Sequence, residues 1–94
     1  MSETASCRIE IIGIERVAGC GALLAVANVA VSGYVSCVLQ GCQIRVRDGK
    51  YLAQSPRWRH PRSGLWLPAF ISDDPALTDA IGAELVADAG AMQL

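Results

Sequence analysis

Six of the chain's eight basic residues, Arg45, Arg47, Lys50, Arg57, Arg59 and Arg62, fall between positions 45 and 62, a stretch that holds one acid, Asp48. Within it, Arg57-Trp58-Arg59-His60-Pro61-Arg62 interleaves cations with rings. A guanidinium offers a planar fork of donors that matches phosphate oxygens, and an aromatic face can stack on an unpaired base. The pattern points to nucleic acid, with Arg45, Arg47, Lys50, Arg57, Arg59 and Arg62 contacting phosphates and Trp58 or His60 stacking on a base. Plainer readings stand beside this one. The arginines can belong to a solvated loop paired with acids elsewhere, and Trp58 can anchor that loop to the core. Trp66, between Leu65 and Leu67, reads as a packing residue.

Charge elsewhere sharpens the contrast. Residues 1–44 carry a net −1, and residues 63–94 hold five acids and no base, so the chain totals −1 although its middle is strongly positive. One electropositive segment in a polarised chain is the natural place for an anionic partner. Catalysis finds little footing: His60 is the only histidine, its neighbours are Arg59 and Pro61, and neither a nucleophile elbow nor a phosphate-cradling glycine motif occurs. Cys7, Cys20, Cys37 and Cys42 include no C-x-x-C pair, which argues against zinc, and in a reducing compartment they read as small buried hydrophobes. The expectation is a non-enzymatic protein with no metal, no cofactor and no small-molecule substrate.

These side chains need a scaffold. Ninety-four residues, 52% hydrophobic and 18% charged, suit one domain over residues 1–94 with a single core, and the apolar excess favours a homodimer. Residues 8–17 alternate apolar and polar with a slip at Ile11-Ile12-Gly13, which predicts a strand with a bulge. Ala18-Gly19-Cys20-Gly21 makes a turn, and residues 22–31 return as a second strand. Residues 34–39 and 42–47 form one strand interrupted near Gly41, or two short ones. Asp48-Gly49 suits a tight turn with positive φ and predicts a hairpin into residues 50–54. Residues 55–64, with two prolines and no periodicity, read as a basic loop, and residues 65–71 hold one more edge strand. Asp74 before Pro75, with Leu77, Ile81 and Leu85 every four residues, predicts a helix over 74–89. The fold class is α+β: a small antiparallel β-sheet of four to five strands over residues 8–71, followed by one C-terminal α-helix, with residues 1–7 a flexible N-terminus.

Taken in order, the β-rich segment, Ile44-Arg45-Val46-Arg47-Asp48-Gly49, Tyr51-Leu52, Ser55-Pro56 with its basic loop, a Gly-aromatic segment and the Leu77-Thr78-Asp79-Ala80-Ile81 helix resemble the stage V sporulation protein G family, small bacterial septation regulators. The resemblance covers about residues 8–88, and its most specific part is the hairpin with the basic loop behind it. It implies a small antiparallel sheet with a C-terminal helix, a homodimer, and a site-selective binder of nucleic acid acting in regulation. Arg45 matches the family's arginine ahead of the Asp-Gly turn, and Arg57 and Arg59 match its basic loop. The chain departs from the family in its Ser55-Pro56 order, in a longer stretch over 36–42, and in a purely acidic helical segment. Such a helix beside the loop would oppose a polyanion.

The leading expectation is therefore a cytoplasmic nucleic-acid-binding regulator, of DNA or RNA. The longest apolar run, residues 20–31, is too short to span a membrane, and the polar N-terminus lacks the pattern of a secretory signal. The alternative is a protein-protein interaction module docking through an apolar surface or the acidic helix, and a third class is an anion- or small-molecule-sensing domain. Steep salt dependence marks the first; persistence at high salt marks the second.

Overall fold

Alternation decides which side of each strand is buried. The computed structural model describes residues 2–4, 7–33 and 36–94. Its main sheet is a five-stranded antiparallel meander in the order β1 (Ser2–Thr4), β2 (Cys7–Arg16), β3 (Leu23–Gly33), β4 (Cys37–Arg47) and β5 (Lys50–Gln54). Ala25, Ala27, Val29 and Val31 of the central β3 point to one face, where they are buried with Ile9, Leu39, Cys42 and Ile44 from the flanking strands. α1 (Pro75–Met92) lies over that inner face and adds Ile81, Leu85 and Ala89 at the four-residue spacing that keeps one side of a helix on the sheet. Small side chains let the helix sit close: a Cβ placed on Gly82 would stand 4.0 Å from that of Ala53. The α+β class read from the sequence is the one observed.

Both ends of α1 are tied down. Asp74 is the N-cap, its carboxylate accepting from the Ala76 amide at 3.0 Å, and Pro75 opens the helix where no amide hydrogen is needed. The helix runs beyond the expected end near Gly90, to Met92. A glycine inside a helix costs about 1 kcal/mol, but distant residues hold the last turn: the Arg16 guanidinium donates to the Met92 carbonyl, and the Tyr51 hydroxyl donates to the Leu94 carbonyl at 2.8 Å. Arg16 also sets a positive charge at the negative end of the helix dipole. Gln93, in the left-handed region at φ 56°, closes the terminus with its amide on Gly90, while the Leu94 amide reaches Ala89.

Two irregularities flank one residue of β3. The register of β2 on β3 slips between Ile11 and Gly13, as the sequence pattern predicts, and the extra residue, Ile12, is turned out into solvent. On the other side β4 slips across Gln40 and Gly41, and the Gly41 amide donates to the Asn28 side-chain oxygen at 3.3 Å. β4 is thus one strand that continues through Gly41. Tyr34 and Val35, which the sequence reading joins to it, lie outside the described residues, as do Met1, Ala5 and Ser6 of the segment expected to be a flexible N-terminus. That expectation is corrected for Ser2–Thr4, which pairs with Cys7–Ile9 as an edge strand. The loop expected over residues 55–64 is corrected too: part of it is a strand, described below.

Placement divides the four cysteines, none of which forms a disulfide among the described residues. Cys42 is fully buried and Cys7 partly so, but Cys20 and Cys37 are exposed because one sits in a glycine turn and the other at a strand start, which corrects their reading as core residues. Burial pushes the Cys42 thiol from 9.0 up to about 11, offset in part by a backbone hydrogen bond.

Two measurements check this packing. Leu85→Ala empties the centre of the helix-sheet seam, and urea unfolding is expected to show a loss of about 2–5 kcal/mol. A thiol reagent at pH 8 is expected to label Cys20 and Cys37 in the folded protein and Cys42 only on unfolding. Because the folded thiol holds its proton more tightly than the unfolded one, the contribution of Cys42 to stability is complete below pH 9 and falls as pH rises from 9.0 to about 11; Cys42→Ala removes that component.

Candidate functional site

The Asp48-Gly49 turn sets the site's register. Both residues have positive φ, 52° and 75°, as a two-residue hairpin turn requires. Counting outward pairs Arg47 with Lys50, Arg45 with Leu52 and Gln43 with Gln54. Since Ile44 is buried beneath α1, its neighbours Gln43 and Arg45 face the opposite, outer side of the sheet, with Arg47 following the same alternation. The Arg45 guanidinium is partly buried there and donates to the Gln43 side-chain oxygen at 3.2 Å.

Beyond β5 the chain leaves the sheet. Ser55 and the buried Pro56 lead into a second, two-stranded antiparallel ribbon of β6 (Arg57–Arg59) and β7 (Trp66–Pro68), with Arg57 opposite Pro68, Trp58 opposite Leu67 and Arg59 opposite Trp66. The Ala69 amide closes its base on the Pro56 carbonyl at 2.8 Å. At the tip the His60 amide donates to Leu65 at 2.8 Å, and the Gly64 amide donates to His60 at 2.9 Å. The His60 Nδ1 accepts from the amides of Arg62 and Ser63 at 3.1 and 3.3 Å, so its ring closes the turn. Gly64 sits at φ 72°, and a Cβ there would meet the Arg59 guanidinium at 3.4 Å.

The ribbon sorts the expected site residues. Arg57, Arg59 and Trp66 share one of its faces, and Trp58 lies on the other with Leu67. A cleft of about 540 Å³ opens between the ribbon and the outer face of the sheet, lined by Leu23, Gln43, Arg45, Gln54, Arg57 and Trp66. That volume lies within the range of about 300–1,000 Å³ usual for ligand clefts. Arg57 donates to the Trp66 carbonyl at 3.0 Å, which fixes it along the ribbon wall. Trp66 is 56% exposed, so its reading as a packing residue is corrected: the pairing of β7 with β6 turns it to the cleft.

Of the residues singled out from the sequence, Arg45 and Arg57 meet in the cleft. Arg47 and Lys50 continue the outer face towards the Asp48-Gly49 turn, and Arg59 and Arg62 lie towards the ribbon tip. Trp58 and His60 stand outside the cleft with their rings 5.6 Å apart at 42°; Trp58 is 43% exposed, too much for a core anchor. Sequence reasoning missed Gln43, Gln54, Leu23 and Trp66. The glutamine pair was within reach, since a two-residue turn at Asp48-Gly49 already matches Gln43 with Gln54; Trp66 needed the ribbon pairing, which no periodicity announces.

Acids lie on both sides of the sheet: Glu10 and Glu15 of β2, opposite Ala30 and Val26, are exposed on the outer face. The acids Asp79, Glu84 and Asp88 belong to α1 on the inner side, whereas the cleft opens on the outer side. Among the described residues no ion pair ties Arg45, Arg47, Lys50, Arg57, Arg59 or Arg62 to an acid. The same residues bring together no cluster of three metal-ligating side chains, and no helix is long and apolar enough to cross a membrane. No protein-family model, curated protein or solved structure matches the chain.

Gly64→Ala tests the ribbon as the site's support. Placing a side chain at positive φ costs on the order of 1 kcal/mol and crowds Arg59. The expected result is an altered near-ultraviolet signal from the Trp58 and Trp66 environments while the far-ultraviolet signal of the main sheet and helix is retained.

Proposed function

We propose that this protein is a non-enzymatic nucleic-acid-binding regulator that contacts phosphates through Arg45, Arg47 and Lys50 of the β4-β5 hairpin and Arg57, Arg59 and Arg62 of the ribbon. One observation carries the reading: Arg45 and Arg57, from different sheets, line a single open cleft, while the acidic helix is on the far side of the main sheet. A polyanion approaching the outer face meets arginines that form no ion pair with an acid among the described residues. The hairpin and basic loop that resemble the septation regulators support a bacterial, cytoplasmic setting for this activity. The reading includes a homodimer, supported by Val38 near the start of β4, which remains 49% exposed on the sheet face that α1 leaves open and does not line the cleft.

The test is titration of DNA and RNA at several salt concentrations, with light scattering on the same preparation for the dimer. Removing both cleft cations in Arg45→Gln/Arg57→Gln is expected to weaken binding about tenfold or more and to flatten the log affinity against log salt slope by about 1.4–1.8, the share of two phosphate contacts. Wild-type affinity in the double variant would overturn the assignment. Capture of a protein partner that persists at high salt, without nucleic-acid binding, would favour docking through the apolar face instead.

A further inference from the structure

We propose that the cleft seats one unpaired base of a single-stranded nucleic acid, with Trp66 as the stacking face and the Gln43 and Gln54 amides at the edge of the base; this rests on the nucleic-acid reading above. The six lining residues divide by chemistry. Arg45 stands on the sheet wall and Arg57 on the ribbon wall, so a phosphodiester chain crossing the cleft has a guanidinium on each side. Between them lie groups that phosphate does not need: an indole, a leucine and two amides.

Gln43 and Gln54 are directly opposed across β4 and β5, a register that brings Cβ atoms within about 4.5–5.5 Å. The Gln43 oxygen is engaged by Arg45, which leaves its amide hydrogens as donors. Among the described residues no hydrogen bond holds the Gln54 amide, so it offers both donors and acceptor. Donor and acceptor side by side are what the edge of a nucleobase matches, and each base adds a flat face for the exposed Trp66 ring.

The direction of these groups selects the strand type. Trp66, Arg57 and the glutamines line one hollow between two walls, and a ligand that touches all of them has to enter it. A base in a duplex is stacked on both sides and paired along its edge, and offers neither surface to the cleft. A single strand offers both without the energy of unpairing. Trp58 and His60, outside the cleft, take no part in this contact.

The experiment uses the full chain carrying Trp58→Phe, so that Trp66 is the only fluorophore of its kind. Four probes are titrated at one salt concentration: a dodecathymidylate, its ribose counterpart, an abasic strand of equal length, and a duplex of equal length. Binding of either base-bearing strand is expected to quench Trp66 emission. Trp66→Ala is expected to weaken binding of those strands about tenfold, the effect of losing one stacking contact, while leaving the abasic strand unchanged; Trp66→Phe should retain affinity within about threefold. If Trp66→Ala binds the base-bearing strands as the parent does, or if the abasic strand or the duplex binds as tightly as they do, the base-seating inference is overturned while phosphate binding stands. Failure of all four probes, or full affinity in Arg45→Gln/Arg57→Gln, would remove the nucleic-acid reading itself.

Discussion

A single helix can cover only one side of a sheet, and the contact between α1 and the inner face of β2 to β5 is the constraint from which the outer face follows. Ile81, Leu85 and Ala89 meet Ile9, Val29, Cys42 and Ile44 in a seam whose buried residues are all apolar among those described. Each fully buried aliphatic side chain contributes about 1.5–3 kcal/mol, so slipping any strand by one residue would exchange that whole set for its outward neighbours. The outward set is thereby held in place as firmly as the core. Gln43 and Arg45 face the cleft because Ile44 cannot leave the seam.

The second sheet depends on the first in a different way. β5 stops at Gln54, and Pro56, which has no amide hydrogen, starts the departure of the chain, its carbonyl anchoring Ala69 on the returning side. The ribbon that results is short, three residues a strand, and little of it is buried. Its order comes from polar contacts: a histidine ring accepting two amides, a glycine at positive φ, and an arginine bound to a carbonyl across the strands. A wall built in this manner can hold aromatic and cationic groups against the open face without burying them.

What was legible in the sequence was what neighbouring residues decide. The Ile11-Ile12-Gly13 slip, the Asp48-Gly49 turn, the Asp74-Pro75 start and the spacing of Leu77, Ile81 and Leu85 each act over a few residues, and each is found in the structure. The helix end was misread because Gly90 is a local signal, while Arg16 and Tyr51, which hold the last turn, lie 76 and 43 residues away from their acceptors. The ribbon was invisible for the same reason: strands of three residues show no alternation, and prolines at 56 and 61 read as loop. Hence charge alone singles out Arg45 and Arg57, whereas Trp66, flanked by leucines, reads as packing because only its pairing with Arg59 on the partner strand turns it to the cleft. Exposure of Cys20 and Cys37 likewise depends on where turns and strand starts fall.

The bulges that flank β3 have a consequence for how this chain can vary. Gly13 of β2 and Gln40-Gly41 of β4 both step out of register beside Asn28, whose side chain receives the Gly41 amide. Three strands therefore crease along one line, and the pairing above the crease is offset from the pairing below it by the same extra residue on each side. Removing that residue from one flanking strand alone would restore plain alternation of that strand against β3, because β3 carries no extra residue at this level and keeps Ala25, Ala27, Val29 and Val31 on one face. Each flank of Asn28 can therefore lose its extra residue without changing what the other flank buries, whereas a deletion in β3 at Asn28 would shift both pairings at once.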